Sequence, residues 1–178
     1  FLPDEFALAD APALFHREGR ATTVVVRDRE GRRELWVEGK IEASTQPTDL
    51  LHLTLLGSLP MALHPAPRRA GIVGLGTGRT AQAVAAFGPE RLVVFELEPE
   101  VVRASPLFAD DGAGLPEQAA VMLGDARRSL RATRERFDVL TSDPIHPGVA
   151  GAASLYAAEY YALVRQRLAP GGLFCQWL

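Results

Sequence analysis

The sequence predicts an α/β protein: a parallel sheet with helices on both faces, preceded by a small antiparallel β-region. Two observations carry this reading. After Pro67, short apolar runs of strand type alternate with helical runs, the rhythm of a parallel sheet with crossover helices. Before Pro47, residues 21–45 hold β-branched runs around a glycine-containing turn, the rhythm of a hairpin. The size agrees, since 178 residues fit the roughly 100–200 of one domain. Residues 1–47 are read as the β-region and 48–178 as the α/β domain.

Composition removes several function classes. A chain that is 47% hydrophobic and 23% charged is neither disordered nor in need of a metal or disulfide staple. A net charge of −3 argues against a general nucleic-acid binder, because phosphate binding wants a basic surface. The single cysteine, Cys175, excludes an internal disulfide framework and a cysteine-based zinc site, and it fits a reducing compartment. No uninterrupted apolar run approaches the ~18 residues of a membrane span. The chain opens on Phe1 with no signal-peptide pattern, and it is expected to be a piece of a longer protein.

Taken in order, residues 1–20 form a short helix or a loose lead-in. Thr22 to Arg27 and Glu34 to Val37 form a hairpin around Asp28 to Gly31, and Lys40 to Ala43 adds a third strand. Thr48 or Asp49 is a plausible N-cap for a helix over Leu50 to Leu63, with Leu51, Leu55, Leu56 and Leu59 at helical spacing and Pro65 and Pro67 ending it. The strands that follow are Ala70 to Val73, Arg91 to Phe95, Ala120 to Leu123, Asp138 to Thr141 and Leu173 to Trp177. The helices between them are Thr80 to Phe87, Glu100 to Phe108, Arg127 to Arg134 and Ser154 to Leu168. Tyr156, Tyr160 and Tyr161 fall on the last helix, with Tyr156 and Tyr160 on one face.

The residues of chemical interest all lie at the carboxyl ends of strands, where open α/β sheets bind ligands. Gly74, Gly76 and Gly78 sit between a strand and a helix, so a ligand can approach the backbone closely. The spacing is G-x-G-x-G. Arg79 stands where the dinucleotide fingerprint wants its last glycine, and the Gly-Lys-Ser/Thr of a P-loop is absent. The loop therefore favours a nucleoside without an essential pyrophosphate; the alternative is a tight turn that binds nothing. Glu96 ends the second parallel strand, where a carboxylate can accept from a ribose diol, while one or both of Glu98 and Glu100 read as solvated surface charges. Asp125 ends the third strand, placed to accept from an adenine amino group or to cap the helix after it. Asp143 ends the fourth, in Ser142-Asp143-Pro144-Ile145-His146-Pro147. There it can serve as general base toward an amine, hold a cation by charge, or close a turn. His146 is a second acid–base candidate or a structural loop residue.

Together these residues resemble the polyamine aminopropyltransferases, the spermidine synthase family. The resemblance runs through Val37-Glu38-Gly39-Lys40, Leu59-Pro60, His64-Pro65 and the Gly74–Gly78 loop. It continues through Phe95-Glu96-Leu97-Glu98-Pro99, Gly124-Asp125-Ala126-Arg127 and Ser142-Asp143-Pro144, then Leu155-Tyr156, Tyr160-Tyr161 and Pro170-Gly171-Gly172 to Gln176. The ending Cys175-Gln176-Trp177-Leu178 is similar to bacterial spermidine-synthase-like proteins, some of which join this domain to membrane-spanning segments.

The resemblance implies a Rossmann-like S-adenosylmethionine-dependent methyltransferase fold behind a small N-terminal β-domain. It implies decarboxylated S-adenosylmethionine as co-substrate, with no tightly bound cofactor and no metal. Gly74, Gly76, Thr77, Gly78, Glu96, Leu97, Asp125 and Ala126 would hold the nucleoside, with Glu96 on ribose and Asp125 on adenine. Glu42, His52, Asp143 and Tyr156 would hold a putrescine-like amine, with Asp143 as the catalytic base. A cytoplasmic enzyme, or a cytoplasmic domain of a membrane protein, assembled as a homodimer, is the expected setting.

The amine side departs from the family. Thr77 replaces the Asp of the usual Gly-Gly-Gly-Asp-Gly loop, removing a charge-assisted bond to the ligand's ammonium. Asp143 stands alone where two Asp residues are common, Glu42 replaces a Gln, and the Tyr-Gln or Tyr-His pair falls near His52-Leu53. Two alternatives therefore stand beside the transferase: a methyltransferase using intact S-adenosylmethionine, and a non-catalytic nucleoside-binding domain. The family fold also continues past the fifth strand, so that strand's edge is expected to be covered by further chain or a partner.

Overall fold

A computed structural model describes residues 12–144 and 152–177 of the chain. The first sheet runs β1 (Ala13–Glu18), β2 (Thr23–Arg29), β3 (Arg32–Val37) and β4 (Lys40–Ser44), antiparallel in that order. Val24 and Val26 alternate with outward residues on β2 and lose all exposure to the core. Two two-residue turns set the register. Glu30-Gly31 and Glu38-Gly39 both take positive φ at each position, the turn whose twist matches paired strands. Residues 13–18 are a strand where the sequence promised a helix or loose lead-in. Most of β1 is exposed, so it carries no apolar alternation to read and is held by backbone pairing to β2.

The second sheet is parallel, in the order β7-β6-β5-β8-β9. Its elements are α1 (Pro47–Leu63), β5 (Arg69–Val73), α2 (Arg79–Ala85), β6 (Arg91–Glu96), α3 (Pro99–Ala104), β7 (Ala119–Leu123), α4 (Ala126–Ala132), β8 (Phe137–Ser142), α5 (Ala158–Arg167) and β9 (Leu168–Gln176). Alternate strand residues feed two apolar layers. Ile72, Val94 and Val139 pack with Met61 of α1, Val84 of α2 and Val101 of α3, and this layer also takes in Val24, Val26 and Leu35 of the small sheet. Val73, Val93, Phe95 and Leu140 pack with Leu130 of α4 and Tyr160, Leu163 and Val164 of α5. Among the described residues, no helix is long and apolar enough to cross a membrane.

Four local expectations are corrected. Helix α1 starts at Pro47 with Gln46 as an uncapped N-cap, because proline's fixed φ suits the first helical position; Thr48 and Asp49 fall inside the helix. Its buried face is Leu53, Leu56, Gly57, Pro60 and Met61, whereas Leu51, Leu55 and Leu59 are exposed. Gly57 decides this: a Cβ there would lie 2.7 Å from the Thr80 carbonyl, so α2 crosses at the glycine and not on the leucine row. Glu98 and Glu100 are buried, not solvated. Glu98 caps α3 by accepting from Glu100 N, and its other oxygen accepts from Ala21 N at 2.9 Å, tying the β1–β2 turn to the tip of β6. The helix expected over Glu100 to Phe108 divides into α3 and a 3₁₀ segment, Ser105–Asp111, at Pro106. Tyr156 precedes α5, which begins after the extended Ala157, so it shares no helix face with Tyr160.

Candidate active site

Past the ends of β5, β7, β8 and β9, one backbone hydrogen bond ties the next residue to a neighbouring strand. Gly74 N donates to Phe95 O at 2.9 Å, Gly124 N to Glu96 O at 2.8 Å, Asp143 N to Val73 O at 3.3 Å and Trp177 N to Ser142 O at 3.0 Å. Sheet register therefore fixes where these four tip residues begin. Strand order reverses between β5 and β8, where an open α/β sheet parts into a crevice. Gly74 borders it on one side and Asp143 on the other; a Cβ on Gly74 would sit 3.4 Å from the Asp143 carbonyl.

The tips of β5, β6 and β7 bring together all the candidate nucleoside residues. Gly78 takes φ 84° as N-cap of α2, and a Cβ there would come within 2.3 Å of Gly114 O, so packing demands glycine whatever the ligand. Glu96 is buried with its carboxylate clamped between two loops: Oε2 accepts from Leu75 N at 2.7 Å and Oε1 from Glu98 N at 2.8 Å. Burial nonetheless holds its pKa above the usual carboxylate value, against the pull of those amides. Thr77 is fully enclosed and its hydroxyl has no hydrogen-bond partner among the described residues.

Asp125 does cap α4, as one sequence reading held: Oδ1 accepts from Arg127 N at 2.8 Å. The Arg127 guanidinium also forks onto both carboxylate oxygens at 3.0 and 2.6 Å, and that pairing pulls the Asp125 pKa down. Ala126 opens α4 directly behind it. Exposed Leu97 follows Glu96, and exposed Leu123 lies opposite Glu96 in the β6–β7 ladder, giving the niche an apolar flank. Leu123 was not singled out from the sequence; its signal was its place immediately before Gly124-Asp125.

The other side of the crevice draws on five segments. Asp143 follows β8, and burial raises its pKa; His52 of α1 opposes that rise and Asp49 of α1 adds to it. Glu42 of β4 is likewise raised, first by burial, with Lys40 lowering it and Asp143 and Glu38 raising it. Tyr156 donates to Pro144 O at 3.1 Å and is raised by burial and by Asp143. Tyr160 underpins the tip from the core: its hydroxyl donates to Ser142 Oγ at 3.2 Å, and burial pushes its pKa up to about 12. The four candidate amine-side residues thus gather in one place. Asp49, read from the sequence only as a cap, joins them, and so does Trp177, whose ring stacks on His52 with centroids 4.7 Å apart. His146 lies outside the described residues. A separate cavity of about 450 Å³ between α4 and α5, lined by Arg131, Glu159, Gln166 and Arg167 among others, contains none of the candidate residues.

With this geometry in place, the comparison with known proteins is decisive for family. The spermine/spermidine synthase domain matches residues 51–177. The chain belongs to the spermine/spermidine synthase family. Spermidine synthase of Dictyostelium discoideum is 28% identical over 180 residues, covering 97% of this chain and 61% of the relative. The polyamine aminopropyltransferase of Aeropyrum pernix is 31% identical over 84% of this chain and 49% of its own length. The chain thus spans about half to three-fifths of these relatives. A crystal structure of a spermidine synthase with the transition state analogue AdoDATO superposes with a TM-score of 0.80 at 19% identity, over 92% of this chain and 57% of the other. That likeness establishes the fold: a Rossmann-like α/β domain behind an antiparallel sheet, as in the spermidine synthases.

Proposed function

We propose that the chain transfers an aminopropyl group from decarboxylated S-adenosylmethionine to a putrescine-like amine. The observation that carries this is the placement of a half-buried carboxyl, Asp143, across the switch-point crevice from the glycine loop, with Glu96 and Asp125 on the loop's far side. The nucleoside lies along the tips of β5, β6 and β7. Its ribose diol donates to the lone pairs that Glu96 keeps beyond its two amide contacts, and its base edge meets Asp125. The amine lies on the Asp143 side.

The reaction needs little covalent help from the protein. The amine nitrogen's lone pair attacks the methylene carbon beside the sulfonium, the carbon–sulfur bond breaks, and its electron pair stays on sulfur, releasing methylthioadenosine. Aligning the two reactants supplies much of the rate. The Asp143 carboxylate takes the proton that the nitrogen sheds. Desolvation suits it to this task, because a raised pKa makes a carboxylate a stronger base. Glu42, Asp49 and Tyr156 face the same space and hold the cationic acceptor.

One observation favours a second reading. Thr77 carries a buried hydroxyl with no partner among the described residues where the family commonly carries Asp. A neutral donor there suits the carboxylate of intact S-adenosylmethionine, and hence methyl transfer.

Titration calorimetry with methylthioadenosine, decarboxylated S-adenosylmethionine and S-adenosylmethionine separates the readings. Tighter binding of the decarboxylated donor, with methylthioadenosine released in the presence of putrescine, is expected. Tighter binding of the intact donor with no such release supports methyl transfer instead, and no binding of any of the three ends both.

A further inference from the structure

We propose that Trp177 is the specificity-determining residue of the acceptor side: stacked on His52 beside Asp143, its indole walls the cleft so that short diamines are admitted over longer polyamines. The proposal rests on the aminopropyl-transfer reading above.

Trp177 is the first residue past β9, and its backbone N–H is pinned to Ser142 O at 3.0 Å, one residue before Asp143. Its place beside the tip of β8 is therefore set by sheet pairing. The ring reaches back over α1 to stack on His52, with centroids 4.7 Å apart and planes 25° apart. His52 in turn lies close enough to Asp143 to oppose the rise in its pKa. The stack bridges α1 and β9 at the edge of the space where Asp143, Asp49 and Glu42 concentrate negative charge. Trp177 is 51% exposed as a residue, with its ring stacked on His52.

An aromatic face beside carboxylates suits an alkylammonium, which gains from the ring quadrupole while its charge is matched by the acids. The same ring closes the direction in which a longer acceptor would extend from Asp143. A diamine places one nitrogen at Asp143 and the second among the neighbouring carboxylates. A triamine must displace the indole.

The test is acceptor binding to the chain saturated with methylthioadenosine, by calorimetry, for 1,4-diaminobutane and for the triamine spermidine. Wild type is expected to prefer the diamine by about tenfold, the scale on which a pocket wall discriminates. Trp177→Ala should reduce the ratio to near one, Trp177→Phe should keep most of it, and His52→Phe should keep it better than His52→Ala. Diamine should also shift the indole emission of wild type but not of Trp177→Phe, whose remaining Trp36 is buried in β3. An unchanged ratio in Trp177→Ala, or diamine binding with no emission shift, overturns the proposal while leaving nucleoside binding and aminopropyl transfer intact. Absence of methylthioadenosine binding to wild type overturns the underlying reading and this one with it.

Discussion

The two halves of the crevice are built by different means. On the nucleoside side, Glu96 and Asp125 are already engaged: backbone amides saturate much of one, and a backbone amide with an arginine fork saturates much of the other. On the acceptor side, Glu42, Asp49 and Asp143 come from three separate segments; burial first, then Asp143, raises the Glu42 pKa, and burial first, then Asp49, raises that of Asp143. The first half is a preorganised acceptor surface that changes little when a ligand arrives. The second gathers carboxyl groups whose desolvation a bound cation would offset. The proposed function thereby puts binding and chemistry in regions that can be perturbed independently.

The sharpest break of the comparison is Asp143→Asn. Loss of a positioned general base costs about 10²–10⁴-fold in rate, so methylthioadenosine release should fall at least hundredfold while calorimetric affinity for methylthioadenosine stays within twofold of wild type. Equal activity would remove Asp143 from the mechanism. Glu96→Ala should have the converse signature. It strands the buried amides of Leu75 and Glu98, each unsatisfied donor costing about 1–3 kcal/mol. Both the urea midpoint and nucleoside affinity should fall together. A variant that loses nucleoside binding at full stability would show that the carboxylate serves the ligand and not the loops.

The pH dependence sharpens the comparison further. As the proposed base, Asp143 accepts a proton only as carboxylate, so transfer should be lost as pH falls through its pKa, which burial and Asp49 raise and His52 holds down. In His52→Ala the lowering partner is gone, and the acid limb of kcat/KM should move to higher pH. The pH dependence of methylthioadenosine binding, which the proposed function assigns to Glu96 and Asp125, should stay where it was. An acid limb that does not move would place His52 out of electrostatic reach of the base.

The same contrast governs how much the sequence reveals. The nucleoside side is legible because residues 74–126 form consecutive strand–turn–helix units, and each acid ends a strand whose apolar run is plain. The acceptor side depends on tertiary convergence. Asp49 looks like a helix cap because its role comes from where α1 packs, and Trp177 carries no periodicity at all. The buried face of α1 is illegible for a related reason: Leu51, Leu55 and Leu59 outvote one glycine in any hydrophobicity pattern, yet Gly57 sets the helix crossing. Glu98 shows the limit of charge reading. A carboxylate two residues from each of two others reads as solvent-facing until the β1–β2 turn supplies the donor that makes its burial tolerable. The strand β1 itself has too few buried side chains to announce itself.

The smallest expected effect isolates the arginine fork. Asparagine caps a helix about as well as aspartate, so Asp125→Asn keeps the bond from Arg127 N and loses only the ion pair. Both side chains are about a third exposed, at 38% and 33%, so the pair contributes about 0.2–1 kcal/mol and is screened by salt. Asp125→Ala, which removes cap and pair together, should cost about 0.5–2 kcal/mol. The pH signature has a definite sign. The folded-state pKa of Asp125 is depressed, so the pair's stabilisation is complete above the ordinary carboxylate pKa of about 4 and disappears as pH falls through the depressed value. Thermal melts of wild type and Asp125→Asn at pH 7 and in mild acid, at low and high salt, should therefore converge as pH falls and as salt rises. A gap that persists through both would mean that Asp125 stabilises the tip of β7 by something other than its charge, and the account of the nucleoside side as an electrostatically preset surface would lose one of its two acids.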